Sequence, residues 1–414
     1  MLGRRTPLDD TLDELAATAG LSGRDEALAR AIATASLRRL GTLRQALETR
    51  LAKGLPKNER LRSLLITGAA QILFLDVPDH ATVDIAVRLA QAEPKLKPFA
   101  GLTNAVLRRI SRERDTILAE AGPWADTPEW LAARWVAQYG ESQAQAIAAS
   151  HRRVASIDVT AKADPQLWTD RLGGVLLPTG SIRLRDRSSV RDLPGYEEGA
   201  WWVQDAAAAL PARLLQPRPG ERIADLCAAP GGKTAQLASA GAQVLAVDRS
   251  PNRLRRLAEN MARLKLSVET LAADALQISA EPFDAVLLDA PCSATGTLRR
   301  HPDVAWAKNE DDIRKLADLQ RRLLDKAAEL VRIGGRLVFC TCSLEPEEGE
   351  RQAEEFLARH PNFARQPVRP EEVGLPDAVT TTGDVRTLPC HLPSSDEIGA
   401  GLDGFFVARF TRLG

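Results

Sequence analysis

The chain has 414 residues, of which 44% are hydrophobic and 27% are charged, and its formal net charge at pH 7 is zero. This length predicts two or three domains, and the composition excludes a disordered or fibrous chain. Its five cysteines are thinly spread, which excludes a disulfide framework. No apolar run approaches the roughly 18 residues of a membrane-spanning helix, and the N-terminal stretch is acidic where a signal peptide would be apolar. We therefore expect a cytoplasmic protein without membrane segments.

Residues 1–135 are predicted to form an all-helical domain, because their apolar residues recur at intervals of three or four. Between Arg24 and Arg114 there are 17 Lys and Arg against 9 Asp and Glu, an excess of 8. A basic segment in an otherwise neutral chain suggests an anionic partner such as nucleic acid. Solvated helix faces would give the same count, so charge alone leaves both interpretations open.

Residues 136–200 are predicted to form a connector, in which helical sequence leads into a small α+β subdomain. The stretches SIDVTAK and SIRLRD alternate as strands do, and a short helix lies between them. From residue 201 to residue 414, short apolar runs alternate with helical segments. This pattern is typical of an α/β domain with a doubly wound, largely parallel sheet and helices on both faces. The run GFFVARF predicts a last, antiparallel strand.

In such a sheet, ligands bind beyond the carboxyl ends of the strands. The first strand is followed by DLCAAPGGKT, from Asp225 to Thr234, whose proline and glycines predict a tight turn before a helix. The turn is not a phosphate loop, because Cys227 stands where that motif has glycine, and it is not the GxGxxG turn of dinucleotide oxidoreductases. It suits a ligand that passes close to the backbone, such as S-adenosylmethionine.

Acidic residues end the next strands. Asp248 is placed to accept hydrogen bonds from the two hydroxyls of a ribose, and Asp274 is placed to meet an adenine amino group. Each aspartate could instead be a simple helix N-cap. Because Asp289 ends the fourth strand, three aspartates stand in register at strand ends, and this favours a nucleoside site.

The fourth and fifth strands each lead into a cysteine. Asp289 and Cys292 follow the fourth strand, and Cys340 and Cys342 end the fifth. Because these strands are expected to be neighbours, we expect Cys292 and Cys342 to lie at the same edge of one pocket. Cys340 is predicted to pack as a small buried hydrophobe and to point to the opposite face from Cys342. The spacing of these cysteines from Cys390 does not match a zinc motif, so we expect no metal site.

Two cysteines beside an aspartate meet the needs of methylation at carbon 5 of cytosine. That carbon becomes nucleophilic only after a thiolate has added to carbon 6, and an acid near ring nitrogen 3 assists this addition. The carbon 5 proton and the thiol must then leave, which a second group assists. The candidates for these parts are Cys342, Asp289 and Cys292. The target cytosine must be unpaired or flipped out for both carbons to be reached.

The motifs DLCAAPGGKT, DAPCSATGTLRRHPDVAW and FCTCSLEPEE together resemble the RNA cytosine-5 methyltransferases of the Nop2/Sun or Fmu type, over roughly residues 155–414. The resemblance implies a class I methyltransferase fold that depends on S-adenosylmethionine, with a mostly parallel, Rossmann-like sheet of seven strands. It implies Cys342 as nucleophile, Cys292 as the residue that assists product release, and Asp289 and Lys233 in the active site. The cofactor contacts that it implies are Cys227, Ala228, Ala229, Pro230, Gly231, Gly232, Lys233, Asp248, Arg249, Asp274 and Asp289.

The sequence departs from the family at Ala294, where glycine usually follows the Pro-Cys-Ser motif. DNA cytosine-5 methyltransferases take their nucleophile from a Pro-Cys motif, so that analogy would exchange the roles of Cys292 and Cys342. Arg299, Arg300 and His301 follow this motif and are candidates for contacts with RNA phosphates. A solvated loop would explain the same residues.

The stretch LRSLLITGAAQILFLDVPDHATVDIAVRLAQ, followed by GLTNAVLRRISR, is similar to the RNA-binding helical domain of the antitermination factor NusB. A NusB-like domain ahead of this catalytic domain is an arrangement found in the family. It implies a loop cytosine of 16S ribosomal RNA as the target and favours RNA as the partner of the basic segment. We expect a monomer.

Other functions stay open. The same chemistry could act on transfer RNA or on 23S ribosomal RNA. An amino-group methyltransferase of the same fold would need an Asn-Pro-Pro-Tyr-like tetrapeptide, where this chain has DAPC from Asp289 to Cys292. A non-catalytic RNA-binding assembly factor is the third possibility, although it would not need both cysteines and all three aspartates.

Overall fold

The computed structural model describes residues 6–185, 189–392 and 400–414. The chain forms two units. The first contains Met1–Val154 and Leu298–Lys308, and the second contains Ala155–Thr297 and Asn309–Gly414. Within the described residues, no helix combines the length and the apolar character that crossing a membrane requires.

The helices, in chain order, are α1 (Leu8–Ala19), α2 (Gly23–Arg38), α3 (Leu40–Arg50), α4 (Glu59–Phe74), α5 (Asp79–Ala92), α6 (Ala100–Arg112), α7 (Arg114–Glu120), α8 (Glu129–Tyr139), α9 (Glu141–His151), α10 (Pro165–Arg171), α11 (Leu210–Leu214), α12 (Gly232–Ser239), α13 (Pro251–Arg263), α14 (Val304–Ala307), α15 (Glu310–Leu330), α16 (Glu350–Arg359) and α17 (Pro370–Val373). The strands are β1 (Asp158–Ala161), β2 (Val175–Leu176), β3 (Ile182–Arg183), β4 (Trp201–Val203), β5 (Arg222–Leu226), β6 (Gln243–Asp248), β7 (Glu269–Ala272), β8 (Phe283–Asp289), β9 (Val331–Thr341), β10 (Phe363–Arg365), β11 (Val385–Thr387) and β12 (Phe405–Arg412).

Four helices, α3 to α6, supply most of the core of the first unit. Leu43 and Leu47 of α3, Leu65 of α4 and Leu107 of α6 are completely buried. The side chain of Asn58 accepts hydrogen bonds from two backbone amides in the first turn of α4 and so caps that helix. The predicted all-helical N-terminal part is therefore confirmed, and its apolar periodicity corresponds to the buried faces.

The first unit extends to Val154, beyond residue 135, because α8 and α9 pack with the other helices. Trp135 of α8 and Ile147 of α9 are buried, and the ring of Trp135 lies 5.4 Å from the ring of His151. The small sheet of the expected connector belongs to the second unit.

A second difference from the bounds expected from the sequence is the segment Leu298–Lys308, which follows β8 in the chain yet packs with the helices of the first unit. The Asp303 carboxylate accepts a hydrogen bond from the backbone N–H of Leu8 at 3.1 Å. The indole of Trp306 donates to the carbonyl of Leu37 at 2.9 Å. Sequence order did not reveal this placement, because it depends on polar contacts between residues almost 300 positions apart.

The second unit begins with a four-stranded antiparallel sheet in the order β2-β3-β1-β4. Asp158 of β1 and Arg183 of β3 are fully buried in it and form a two-pronged ion pair, with N–O distances of 2.6 and 2.8 Å. Such a pair fixes the relative position of the two strands, because an unpaired buried charge would be costly.

The large sheet of the second unit has the main order β10-β12-β9-β8-β5-β6-β7, and β11 pairs with β12 as an eighth strand. The pairs that β5, β6, β7, β8 and β9 form among themselves are parallel, and the pairs that β12 forms are antiparallel. The seven strands of the main order and the antiparallel GFFVARF strand confirm the predicted α/β fold class.

Helices cover both faces of this sheet, as the alternation of β8 shows. Val286 and Leu288 pack in one cluster, which includes residues of α15, and Ala285 and Leu287 pack in another, which includes residues of α11. Because both faces are buried, ligands reach this sheet at the ends of its strands.

Candidate active site

The carboxyl ends of β8 and β9 bring the two predicted cysteines together. Cys292 Sγ and Cys342 Sγ lie 3.4 Å apart, although the residues are 50 positions apart in sequence. The backbone N–H of Gly296 donates to the Cys342 carbonyl at 3.0 Å and links the two loops. The hydrogen bond to Cys342, together with burial, raises the pKa of the Cys292 thiol well above the ordinary cysteine value. The contact with Cys342 and burial thus favour the protonated form of Cys292.

Lys233 and Asp289 form an ion pair beside the cysteines. Lys233 Nζ lies 2.7 Å from Asp289 Oδ2 and 5.1 Å from the centre of the Phe405 ring, and the lysine is only 8% exposed. Burial opposes the charge on Lys233, but the charge and hydrogen bond of Asp289, together with contributions from Cys340 and Asp225, outweigh burial and raise the lysine pKa. The pair thus holds a cation and a carboxylate at the end of β8.

Cys340 is part of this arrangement rather than separate from it. Its thiol is completely buried and donates a hydrogen bond to Asp289 Oδ1 at 3.4 Å. Burial, followed by the Asp289 charge, raises the Cys340 pKa well above its ordinary value, so the thiol stays protonated. Packing of Cys340 is as expected: it lies in the cluster that includes Val338 and Leu287, whereas Cys342 packs against the cluster of Leu177 and Phe405. That the two side chains point to opposite faces stays a prediction, because Cys342 lies beyond the end of β9 at Thr341.

The turn after β5 is tight, as the sequence predicts. Gly231 has a φ of +104°, and a Cβ atom there would lie 2.7 Å from the Leu257 side chain, so only glycine fits without movement. Cys227 has a φ of +62°, and burial raises its pKa to about 12. The turn leads into the first residues of α12, and the residues that line this stretch of backbone are Cys227, Ala228, Ala229, Pro230, Gly231 and Gly232.

Asp225, which the sequence analysis did not select, is a completely buried carboxyl group at the same place. The Thr234 hydroxyl donates to its Oδ2 at 2.6 Å, whereas its Oδ1 has no hydrogen-bond partner in the described part of the chain. Burial raises its pKa to about 7. A buried carboxylate oxygen without a partner indicates room for a donor or a positive charge from a ligand.

Asp248 at the end of β6 is almost completely buried, and its carboxylate is already bonded to protein. It accepts from the backbone N–H of Ala229 at 3.3 Å and of Ser250 at 2.9 Å, and Arg253 Nη1 lies 3.1 Å away. It therefore ties the β5 turn to the β6 turn. The neighbouring side chain of Arg249 is exposed.

Asp274 is exposed, and its Oδ1 accepts a hydrogen bond from the backbone N–H of Leu276 at 3.0 Å. The structure thus shows it as the N-cap of the short helical turn Ala275–Gln277. A contact from Asp274 to adenine stays a prediction, because capping uses only one of its two oxygens.

The residues after the Pro-Cys motif are not arranged as expected. Arg299 is only 3% exposed and its carbonyl accepts from Arg38 at 2.9 Å, so the expected phosphate contact is wrong for Arg299. The contacts of Arg300 and His301 with RNA stay predictions. Ala294 has a φ of +61°, which explains the family's preference for glycine at this position.

Glu348, which was not predicted as a site residue, is a completely buried acid that bonds to both cysteine loops. It lies in the acidic stretch LEPEEGE, where composition alone suggests a solvated surface. The available signal was a serine directly after each cysteine, Ser293 and Ser343, since paired hydroxyls require a common acceptor if they are buried. In the described ranges, no group of three or more His, Cys, Asp or Glu residues is placed to hold a metal ion.

Comparisons with known proteins give one family. Residues 212–411 match 16S rRNA methyltransferase RsmB/F, and residues 2–112 match the NusB family. Ribosomal RNA small subunit methyltransferase B of Vibrio cholerae is 37% identical over 362 residues, covering 82% of each chain. The protein of that name from Sodalis glossinidius is 35% identical over 424 residues, covering 95% of this chain and 91% of its own. The crystal structure of PH0851 is similar with a TM-score of 0.76 at 25% identity, covering 96% of this chain and 93% of that one.

Proposed function

Because the chain belongs to the RsmB/F family of 16S rRNA methyltransferases, we propose that it transfers a methyl group from S-adenosylmethionine to carbon 5 of a cytosine in 16S ribosomal RNA, through a covalent adduct of Cys342 at carbon 6. The family membership confirms the resemblance seen in the three motifs and the NusB-like stretch. The chemistry at carbon 5 and the roles of individual residues are our proposal.

The observation that carries the proposal is the 3.4 Å contact between the sulfurs of Cys292 and Cys342 beside the Lys233–Asp289 pair. An amino-group methyltransferase has no use for a thiol, and an RNA-binding protein without catalysis has no use for two thiols in contact with each other. Addition to and elimination from carbon 6 need both a nucleophilic sulfur and a group that assists its departure.

In this proposal the two thiols have different roles. The contact with Cys342 and burial raise the pKa of Cys292, and in this proposal its S–H donates to the Cys342 sulfur across the 3.4 Å contact and stabilises that sulfur as a thiolate. The thiolate of Cys342 adds to carbon 6, and the electron pair of the double bond moves to carbon 5. After methyl transfer, carbon 5 loses its proton to a base, and the carbon–sulfur bond breaks with its electron pair returning to Cys342. Cys292 then stabilises the departing thiolate.

Lys233 and Asp289 face the developing negative charge on the cytosine ring in this proposal. Addition of the thiolate pushes electron density toward the carbonyl and nitrogen 3, so a proton or positive charge there lowers the barrier. Lys233 supplies the charge, and Asp289 orients it through the 2.7 Å bond. Removing one fixed donor that stabilises developing negative charge in this way typically lowers a reaction rate by about 10²–10³.

The residues of the β5 turn and the β6 end would hold the cofactor. The close backbone approach at Gly231 and the unpartnered, buried Oδ1 of Asp225 fit a ligand that carries positive charge. Asp248, which ties the two turns together, would receive the ribose. When bound, S-adenosylmethionine supplies an electrophilic methyl group to the carbon 5 nucleophile, and the sulfonium sulfur keeps the electron pair of the broken bond.

The helical first unit is proposed to bind the ribosomal RNA. Within the described ranges of its basic segment, several exposed cations have no acidic side chain within ion-pair distance. These cations are Arg24, Lys53, Lys57, Lys95, Lys97 and Arg112. Cations that are not neutralised by the protein are available to phosphates, and RNA affinity would then fall steeply with salt.

The test uses wild type, Cys292→Ala and Cys342→Ala, with Cys390→Ala as the matched control because that cysteine lies outside the pair. Each protein is incubated with S-adenosylmethionine and deproteinised 16S rRNA and run on a denaturing gel, and the methylated nucleoside is identified by mass spectrometry. We expect a covalent protein–RNA band for Cys292→Ala alone, and 5-methylcytidine from wild type and Cys390→Ala.

A band from Cys342→Ala instead would reverse the two roles. A methyl group on an exocyclic nitrogen would refute the carbon 5 chemistry. If the wild type gave no methyl transfer on free rRNA, the same assay with partly assembled small subunits would decide between a substrate requirement and a non-catalytic binder.

A further inference from the structure

Glu348 connects the loops that carry the two cysteines. Its carboxyl group is 0% exposed and accepts a hydrogen bond from the backbone N–H of Ser293 at 2.9 Å. It also accepts from the hydroxyls of Ser293 and of Ser343, the latter at 2.5 Å. Ser293 directly follows Cys292, and Ser343 directly follows Cys342. One carboxyl group therefore holds the neighbours of both sulfurs.

A third element completes the arrangement. Gln320 of α15 donates from Nε2 to Glu348 Oε1 at 3.1 Å and to the carbonyl of Pro291 at 2.9 Å. The backbone carbonyl of Glu348 accepts from the Thr341 hydroxyl at 2.9 Å. Four donors thus share the two carboxylate oxygens, and they come from the β8 loop, the β9 loop and a helix. Removing the carboxyl group would leave the buried backbone N–H of Ser293 without its acceptor and would take one acceptor from each of the other three donors.

The ladder of the sheet does not itself set the distance between the sulfurs. The last register pair of β8 and β9 is Asp289 with Cys340. Cys292 lies three residues beyond that pair and Cys342 two residues beyond it, and both are outside the strands. Their 3.4 Å contact therefore depends on what holds the two loops together after the strands have ended.

We infer that Glu348 is a positioning residue that keeps Cys292 in contact with Cys342, so that the covalent RNA adduct can be released. The inference rests on the proposed function, because it takes Cys342 as the nucleophile and Cys292 as the group that assists release. Glu348 itself touches neither the cytosine nor the cofactor in this scheme. It acts through Ser293 and Ser343.

The charge of Glu348 acts in the same direction as its hydrogen bonds. After the bond to Cys342 and burial, the Glu348 carboxylate is a further cause of the raised pKa of Cys292. It therefore helps Cys292 to keep the proton that it donates to the Cys342 sulfur. Burial raises the pKa of Glu348 itself. The hydrogen bonds that it accepts from Ser293, Ser343 and Gln320 act against this effect, because they favour the ionised carboxylate.

The experiment compares Glu348→Ala and Glu348→Gln with wild type and Cys292→Ala. Glu372→Gln is the matched control, because Glu372 is a carboxylate of the same unit that bonds to Arg409 instead of to a cysteine loop. We measure kcat and KM for both substrates, the covalent protein–RNA band, the melting temperature and the affinity for S-adenosylmethionine.

For Glu348→Ala we expect a fall in kcat of about 10–100-fold, as for a group displaced by about 1 Å, with both KM values within about twofold of wild type. The decisive expectation is a covalent protein–RNA band in a protein that still has Cys292. Glu348→Gln keeps an oxygen acceptor of the same shape, so it should restore kcat to within about tenfold of wild type and remove most of the band. The control should match wild type in every measurement except melting temperature.

The inference is overturned if Glu348→Ala turns over at the wild-type rate, or if it loses activity without forming the band while it still melts cooperatively and binds the cofactor. If Glu348→Ala does not fold, the same decision falls to Glu348→Gln combined with Ser293→Ala, which removes two of the bonds and keeps the side-chain volume. Failure of the proposed function would give a different result. In that case wild type would not transfer methyl groups and Cys292→Ala would not form the covalent band, and both proposals would fall together.

Discussion

The buried carboxyl group of Asp225 should make the stability of the protein depend on pH in a direction opposite to that of most carboxylates. Burial, opposed in part by the hydrogen bond from Thr234, raises its pKa from 3.8 to about 7. Because the folded pKa lies above the unfolded one, the native state binds the proton more tightly. Its contribution to stability is greatest below the unfolded pKa and is lost as the pH rises from about 4 to about 7.

The magnitude follows from the size of the shift. At roughly 1.4 kcal/mol per pKa unit, the whole loss is about 4 kcal/mol, and the part that falls between pH 5 and pH 8 is about 2–3 kcal/mol. Asp225→Asn cannot ionise and so lacks this dependence. The constant effects of the amide, including any unmet hydrogen bond, are the same at both pH values and cancel in the comparison.

The assay is urea unfolding of wild type and Asp225→Asn, without cofactor, at pH 5 and pH 8. The free energy of unfolding of the variant minus that of wild type should be about 2–3 kcal/mol larger at pH 8 than at pH 5, which means that the variant gains in relative stability. Thr234→Val should show the opposite sign, because it removes the hydrogen bond that stabilises the carboxylate. A relative stability of Asp225→Asn that is the same at both pH values would refute the argument.

Three further predictions concern the cysteine pair, its loop and the basic segment. Diamide, which oxidises thiols, should join Cys292 and Cys342 in a disulfide because their sulfurs lie 3.4 Å apart. Mass spectrometry should show the loss of two hydrogens, and dithiothreitol should restore the activity that oxidation removes. Failure to form the disulfide would contradict this proximity. Ala294→Gly should raise the free energy of unfolding by about 1 kcal/mol, since φ is +61°; an equal or lower stability in denaturant would show that the position is not strained. Lys95→Glu combined with Lys97→Glu should weaken the binding of rRNA. The slope of log affinity against log salt concentration should become less steep by about 1 for each phosphate that is no longer neutralised. An unchanged slope would exclude these lysines from the interface.

The fold was predictable from the sequence because it depends on patterns that repeat. Alternating apolar runs and amphipathic helices specify a parallel sheet covered on both faces, and the strand-end rule then places Asp289, Cys292 and Cys342 at one edge. The positions that were not predictable depend on single tertiary contacts. Nothing in the local sequence distinguishes Asp274, which is exposed, from Asp248, which is buried.

Glu348 shows why the rest of the site was missed. An acid in the stretch LEPEEGE is expected to be solvated, and it is buried only because Ser293, Ser343 and Gln320 converge on it from three separate segments. The segment Leu298–Lys308 was misplaced for a similar reason. Its local sequence is compatible with a basic loop, and only its packing with the helices of the first unit decides where it lies.

The charges around the β5 turn give a physical reason for the choice of cofactor. The carboxylates of Asp225, Asp248 and Asp289 act together to raise the pKa of the Cys227 thiol beyond the effect of its burial, and Asp248 and Asp289 raise that of Asp225. Lys233 neutralises the charge of Asp289, and Arg253 lies 3.1 Å from Asp248, so the negative charge that remains belongs to Asp225 when it is ionised. An excess of negative charge that is partly buried is unfavourable in the empty site and becomes favourable when a cation enters it. A ligand with a sulfonium and an ammonium group meets this requirement, whereas a nucleoside phosphate would be repelled by the same carboxylates.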